Sequence, residues 1–189
     1  MADQRQEHGG DRERRIAVVL GKKGAGKTTL VRRWVDSYPG SVRALDPAGE
    51  FSFGEWPVGE GGKTRRQAIS DWLKELTGDG RGNWEGLLIL DDSDRYASVV
   101  PSEAWTDVYC ANRHVGLDVI VTAHRPQGVA KELLANADIV YIFQQDEPLA
   151  RKYLEKFTQI EGLADLIPTE KGRALVVVHG HPPSELIVF

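Results

Sequence analysis

Short apolar runs alternate along the chain with stretches that repeat their apolar residues at helical spacing. The runs Ile16 to Leu20, Val42 to Leu45, Leu87 to Leu90, Leu117 to Ala123 and Ile139 to Phe143 have strand length and carry almost no polar positions. A strand that is apolar throughout, rather than at every second residue, is covered on both faces, which is the signature of a parallel sheet between helices. The intervening patterns predict helices over Thr28 to Tyr38, Thr64 to Gly78, Ser102 to His114, Val129 to Ala137 and Glu147 to Phe157. Pro39-Gly40 stops the first, and Thr64 with Gln67 forms a capping box for the second. The final segment, RALVVVHGHPPSELIVF, reads as two strands joined by a Gly/Pro turn at the sheet edge. The expectation is one α/β domain over 15–189, with a mostly parallel central sheet, helices on both faces and a C-terminal edge hairpin.

Residues 1–14 carry charge of both signs and no apolar core, so they are expected to be a disordered tail, neither a secretory signal nor a transit peptide. At 189 residues with 41% hydrophobic and 28% charged residues, the composition is that of a soluble globular protein, and no run reaches the length of a membrane span. The single cysteine, Cys110, allows no internal disulfide or thiolate zinc cluster, which fits a reducing, cytoplasmic compartment. A net charge of −4 gives no global attraction to nucleic acid, so any such contact must come from local basic patches.

The first strand runs into GKKGAGKT, residues 21–28, and the first helix follows. Strand, G-x-x-x-x-G-K-[ST] and helix in that order form a phosphate-binding loop. Backbone N–H groups of Gly21, Gly24, Ala25, Gly26, Lys27, Thr28 and Thr29 would cup a β-phosphate at the positive end of the helix dipole. Lys27 would bridge the β- and γ-phosphates, and the Thr28 hydroxyl would ligate Mg²⁺. Gly62-Lys63-Thr64 repeats the GKT spelling, but Pro57 occupies the first glycine position and no strand precedes it, so it reads as a loop entering a helix.

A magnesium nucleotide needs a second acid at the end of a neighbouring buried strand, and LLILDDSDR supplies Asp91 for the metal and Asp92 to orient the attacking water. Without the upstream loop, the same two acids would read as solvated loop residues. The run NRHVGLDVIVTAHRP ends a further buried strand in polar side chains at the same edge, where His124 can contact the γ-phosphate or the water. Arg113 and Arg125 are candidates for stabilising transition-state charge, with surface salt bridges as the alternative for each. Lys63, Arg65 and Arg66 form a dense basic cluster at a helix start, where positive charge opposes the macrodipole. They can face DNA or simply be solvated. Arg12, Arg14 and Arg15 are a second candidate patch, and His179 and His181 sit in a turn with no evident ligand.

These pieces resemble the FtsK/HerA branch of P-loop motor ATPases. The likeness is carried by GKKGAGKTT, ALDPAGEF, LLILDDSDR, NRHVGLDVIVTAHRP and KELLANADIVYIF, in order over roughly residues 15 to 145. It implies a RecA-like core, ATP and Mg²⁺ as ligands, a homo-oligomeric ring of six subunits with an arginine finger supplied in trans, and ATP hydrolysis coupled to movement of double-stranded DNA. Two positions depart from the branch pattern. Asp92 stands where a glutamate is usual, and His124 stands where a glutamine is usual. With no room for membrane, barrel or winged-helix additions, the chain is most similar to the small genome-packaging ATPases of membrane-containing viruses. That likeness implies capsid or viral membrane proteins as partners, and a place in the host cytoplasm and the virion.

Other readings stay open, the first being another DNA-translocating or assembly ATPase that the same resemblance allows. Lys22 occupies the position of the signature lysine of ParA/MinD partition ATPases, although Lys23 replaces a glycine there and the aspartate-threonine-proline switch is missing. A small-molecule kinase would need lid arginines, and a GTPase an asparagine-lysine-x-aspartate base reader, neither of which is recognisable. A nucleotide-binding scaffold without turnover remains a further reading, because of Asp92.

Overall fold

The computed structural model describes residues 15–189, and the expectation for 1–14, with Arg12 and Arg14, lies outside them. The strands are β1 (Ile16–Leu20), β2 (Val42–Leu45), β3 (Gly54–Glu55), β4 (Gly86–Leu90), β5 (Leu117–Ala123), β6 (Ile139–Ile142), β7 (Arg173–Val178) and β8 (Ser184–Ile187). The helices are α1 (Lys27–Ser37), α2 (Arg65–Thr77), α3 (Ser102–Val115), α4 (Lys131–Ala135), α5 (Pro148–Thr158) and α6 (Leu163–Leu166). All eight strands form one sheet in the order β3-β2-β4-β5-β1-β6-β7-β8. Strands β1 to β6 pair in parallel, and β7 and β8 add an antiparallel hairpin at the edge.

The continuous apolar runs are explained by the two faces of this sheet. Within β1, Val18 and Leu20 face one cluster while Val19 faces the other, and in β4 Leu88 and Leu90 oppose Leu87 and Ile89 in the same way. The cover is uneven. Ile69, Trp72, Leu73 and Leu76 of α2, Ala104, Trp105 and Val108 of α3, Leu133 and Leu134 of α4, and Leu154 of α5 all bury into the first cluster. On the other face α1 contributes Leu30 and Val31, helped by Phe51 from the loop after β2.

Local signals set most helix ends. The Thr64 hydroxyl accepts a hydrogen bond from the Gln67 amide and the Gln67 side-chain oxygen accepts one from the Thr64 amide, so the second GKT is the capped helix start that its context predicts. Gly78 then closes α2 in the left-handed conformation. Two differences from the sequence reading have local causes. The helix expected over Val129 to Ala137 is only Lys131–Ala135, because Pro126 turns the preceding residues into a short 3-10 segment, Pro126–Gly128. The two-residue β3 and the one-turn α6 are too short to carry a periodicity.

One topological expectation is corrected. The acid strand is not next to the glycine-loop strand, because β5 is inserted between β1 and β4 and pairs with both. Strand neighbourhood depends on crossover connections, which leave no mark in local periodicity. Among the described residues, no helix is long and apolar enough to cross a membrane.

Candidate active site

The loop from Gly21 to Gly26 leaves the carboxyl end of β1 and turns directly into α1. It is tied down on both sides: the Gly21 amide donates to the Ala123 carbonyl at the end of β5 (3.2 Å), and the Lys22 amide to the Gln144 carbonyl beyond β6 (3.0 Å). Gly24, at φ 76°, has a left-handed backbone, and a side chain there would project into open space. Glycine therefore serves the backbone curl at Gly24 and does not relieve crowding. Ala25 is buried, Thr28 is half-buried and Thr29 is exposed on the first turn of α1.

Lys27 lies only 7% exposed, and its Nζ donates to the Gly21 carbonyl at 2.7 Å, so the side chain folds back along its own loop. Burial lowers its pKa, while Asp92, Asp91 and Asp94 pull it up. The cation is thus held inside the loop, facing three carboxylates.

Those carboxylates all follow β4, facing the end of β5. Asp91 is 3% exposed, and burial raises its pKa to about 6, with Asp92 and Asp46 adding to the rise and the Thr122 hydrogen bond and Lys27 opposing it. Thr122, fully buried at the end of β5, donates from Oγ1 to Asp91 Oδ1 (2.7 Å) and accepts from the Asp92 amide (2.9 Å). Asp92 adopts φ 45°, ψ 49°, the left-handed region that aspartate tolerates better than most residues. A 3-10 turn, Ser93–Arg95, follows, and Ser93 Oγ donates to the Gly128 carbonyl (2.6 Å) to lock it against the segment after β5.

His124 is positioned by the same cluster. Its amide donates to Asp94 Oδ2 (2.6 Å), its Nδ1 lies 3.5 Å from Asp94 and 3.9 Å from Asp92, and Gln145 Nε2 donates to its carbonyl (3.0 Å). At the end of β2, the buried Asp46 accepts from the amides of Ala48 and Gly49 through Oδ1 and of Phe51 through Oδ2. The DPAGEF run is therefore a loop folded around one carboxylate.

The structure brings Lys27, Asp91, Asp92 and His124 to one edge of the sheet, and it disperses the other candidates. Arg125 is exposed and forms an ion pair with Glu147 at 2.8 Å, at the start of α5. Arg113 lies in the last turn of α3 with its guanidinium 5.4 Å from the Tyr109 ring. That turn leads into the amino end of β5, so the seven-residue strand separates it from His124 by roughly 20 Å. The basic cluster at the start of α2 is exposed but divided: Lys63 pairs with Asp71 (2.6 Å), Arg65 packs its guanidinium 5.2 Å from the Trp56 ring, and Arg66 borders a recess beside Lys131 and Glu132. His179 and His181 are exposed in the β7–β8 turn.

Sequence reasoning missed Thr122, Asp94 and Asp46 as site residues. Thr122 had a signal, being the polar residue at the carboxyl end of an otherwise apolar strand interior. Asp94 had none, because only the 3-10 turn brings it under His124.

The residues present suit a magnesium nucleotide. Among the described residues there is no cluster of three or more His, Cys, Asp or Glu that could cage a metal by itself. Hard oxygen donors in small number, here the Thr28 hydroxyl and the Asp91 carboxylate, are the set that Mg²⁺ uses when phosphates and water complete its octahedron.

A glycine loop between β1 and α1, acids at the end of β4, and β5 inserted between the two strands define the P-loop NTPase fold in its RecA-like form. No family model and no curated protein sequence matches the chain. Solved structures do. The genome-packaging NTPase B204 of Sulfolobus turreted icosahedral virus 2, in complex with AMPPCP, superposes with a TM-score of 0.67 at 17% identity, over 93% of this chain and 98% of that one. The DNA-packaging ATPase B204 of Sulfolobus turreted icosahedral virus gives 0.67 at 18%, over 90% and 96%. The cytoplasmic domain of the type VII secretion ATPase EccC of Thermomonospora curvata gives 0.64 at 12%, over 90% of this chain and 25% of that one. At these identities the likeness is one of fold.

Proposed function

We propose that the protein is a Mg²⁺-dependent ATPase whose turnover drives movement of double-stranded DNA, most specifically the packaging of a viral genome into a preformed capsid. The observation that carries the hydrolase reading is the Lys27–Asp91–Asp92–Thr122 group: a buried lysine in a glycine loop facing two consecutive acids braced by one hydroxyl. The packaging reading is supported by the near end-to-end fold likeness to B204, whose described role is genome packaging.

In this reading the loop amides and Lys27 would bind the phosphates, and Thr28 and Asp91 would hold the cation. Bound there, Mg²⁺ would neutralise charge on the β- and γ-phosphates. Asp92 orients the attacking water and accepts its proton, and His124, held by Asp94, donates a hydrogen bond to the γ-phosphate. Thr122 keeps Asp91 and the Asp92 backbone in register. Arg113, at the far end of α3, can serve only a neighbouring subunit, as an arginine finger in a ring of six. Arg125 would have to leave Glu147 to do the same. Lys63, Arg65 and Arg66 would line the DNA path. Capsid or viral membrane proteins would be the docking partners, in the host cytoplasm and the virion.

Phosphate release by wild type and by Lys27→Ala, each with and without double-stranded DNA, tests this, with mass photometry in ATP and DNA alongside. A motor gives turnover that DNA stimulates, abolished by Lys27→Ala, in a ring-sized species. Turnover indifferent to DNA would favour an assembly ATPase or a kinase, and no turnover a scaffold.

A further inference from the structure

Phe189 is a large aromatic side chain that is 63% exposed although it stands beside the glycine loop. A methyl group added at Gly26 would meet its Cε1 at 3.1 Å, and one added at Gly172 would meet its Cδ2 and Cε2 at 2.8 Å, so the ring is seated against two glycines, one at each edge. Gly26, at φ 121°, is also hemmed in by the fully buried Phe143, whose Cε1 would lie 3.0 Å from such a methyl. The ring's backbone is fixed to the loop. The Gly172 amide donates to the Ala25 carbonyl (3.0 Å), the Val188 amide donates to the Gly172 carbonyl (2.6 Å), and the Val188 side chain is buried.

The sheet order gives this ring a direction. The loop crowns β1, the acids and His124 lie on its β5–β4 side, and Gly172 with Phe189 lies on its β6–β7 side. A triphosphate laid along the loop must turn its terminal phosphate toward Lys27, Asp91 and Asp92, where hydrolysis is catalysed. Its nucleoside then points the opposite way, toward Phe189. An aromatic ring held against the loop by two glycines, on a residue 63% exposed, suits the flat face of a heterocyclic base.

We propose that Phe189 is the stacking platform for the nucleobase of the bound nucleoside triphosphate; this rests on the nucleotide-site reading above. Stacking uses the π-face that all bases share, so the platform contributes affinity without strong choice among bases.

Binding of ATP and of inorganic tripolyphosphate, each with Mg²⁺, to wild type, Phe189→Ala, Phe189→Trp and Lys27→Ala tests the proposal by calorimetry. Phe189→Ala is expected to bind ATP roughly tenfold more weakly while holding tripolyphosphate as wild type does. Phe189→Trp is expected to restore ATP binding, and its added indole emission to be quenched by ATP but not by tripolyphosphate. Wild-type affinity for ATP in Phe189→Ala overturns the platform, and so does an equal loss for both ligands, which would mean that the ring only supports the loop. If wild type binds neither ligand, or Lys27→Ala binds both as wild type does, the nucleotide site itself is overturned.

Discussion

Thr122 donates a 2.7 Å hydrogen bond to Asp91 from the neighbouring strand, and accepts from the amide of Asp92 at 2.9 Å. One buried hydroxyl therefore fixes both acids relative to β5, the strand that separates them from the glycine loop. Thr122→Val keeps the shape but leaves the Asp92 amide and an Asp91 oxygen without this partner, which costs roughly 1–3 kcal/mol in a buried site. Urea unfolding should show that loss, with a fall in turnover. Thr122→Ser, which keeps the hydroxyl, should recover most of both.

Asp91 carries its charge at a cost. Burial raises its pKa to about 6, above the ordinary carboxylate value of 3.8, so the folded nucleotide-free protein binds this proton more tightly than the unfolded chain does. The destabilisation is therefore full above pH 6 and is relieved as pH falls from 6 toward 4. Asp91→Asn, whose amide oxygen can still accept from Thr122, should be more stable than wild type by about 2 kcal/mol at pH 7.5, and the gap should shrink through pH 5 and close only below the unfolded value of 3.8. Thermal unfolding across pH measures it. If Asp91 holds the cation, as proposed, turnover should be lost in the same variant, because the amide carries no charge.

Asp92 has the left-handed backbone conformation that asparagine also tolerates. Asp92→Asn should therefore fold with a stability within about 0.5 kcal/mol of wild type. If Asp92 accepts the proton of the attacking water, the rate should drop at least ~100-fold with nucleotide affinity preserved. Single-turnover hydrolysis beside equilibrium binding separates the two.

Asp46 accepts three backbone amides with one carboxylate, so its role is to shape the loop after β2. Asp46→Ala strips all three bonds from a charged, buried acceptor and should destabilise the protein by about 3 kcal/mol. Asp46→Asn, which retains one carbonyl oxygen, should fall between. Chemical denaturation gives the order directly.

Much of the fold was legible because parallel strands buried on two faces are apolar throughout, as in the run from Leu87 to Leu90, and because the Thr64–Gln67 box marks a helix start wherever it occurs. The glycine loop was legible for a different reason. The loop and the contiguous Lys27 and Thr28 lie within one strand–turn–helix unit, so the spacing of a few neighbours in sequence already sets their spacing in the structure. Asp91 and Asp92 could be read for the same reason, as the residues that any strand of that length must place at its carboxyl edge.

What the sequence determined by itself was thus the part of the site built within one strand, turn and helix. The tertiary structure decided which strands are neighbours. By inserting β5 between β1 and β4 it made Thr122 the brace of the two acids, while the 3-10 turn placed Asp94 under His124, the ends of β5 and β6 brought Arg125 to Glu147, and the edge hairpin laid Phe189 against Gly26. Each of these contacts joins residues far apart in the chain. Their meeting depends on crossover and packing, which local propensity and periodicity do not encode.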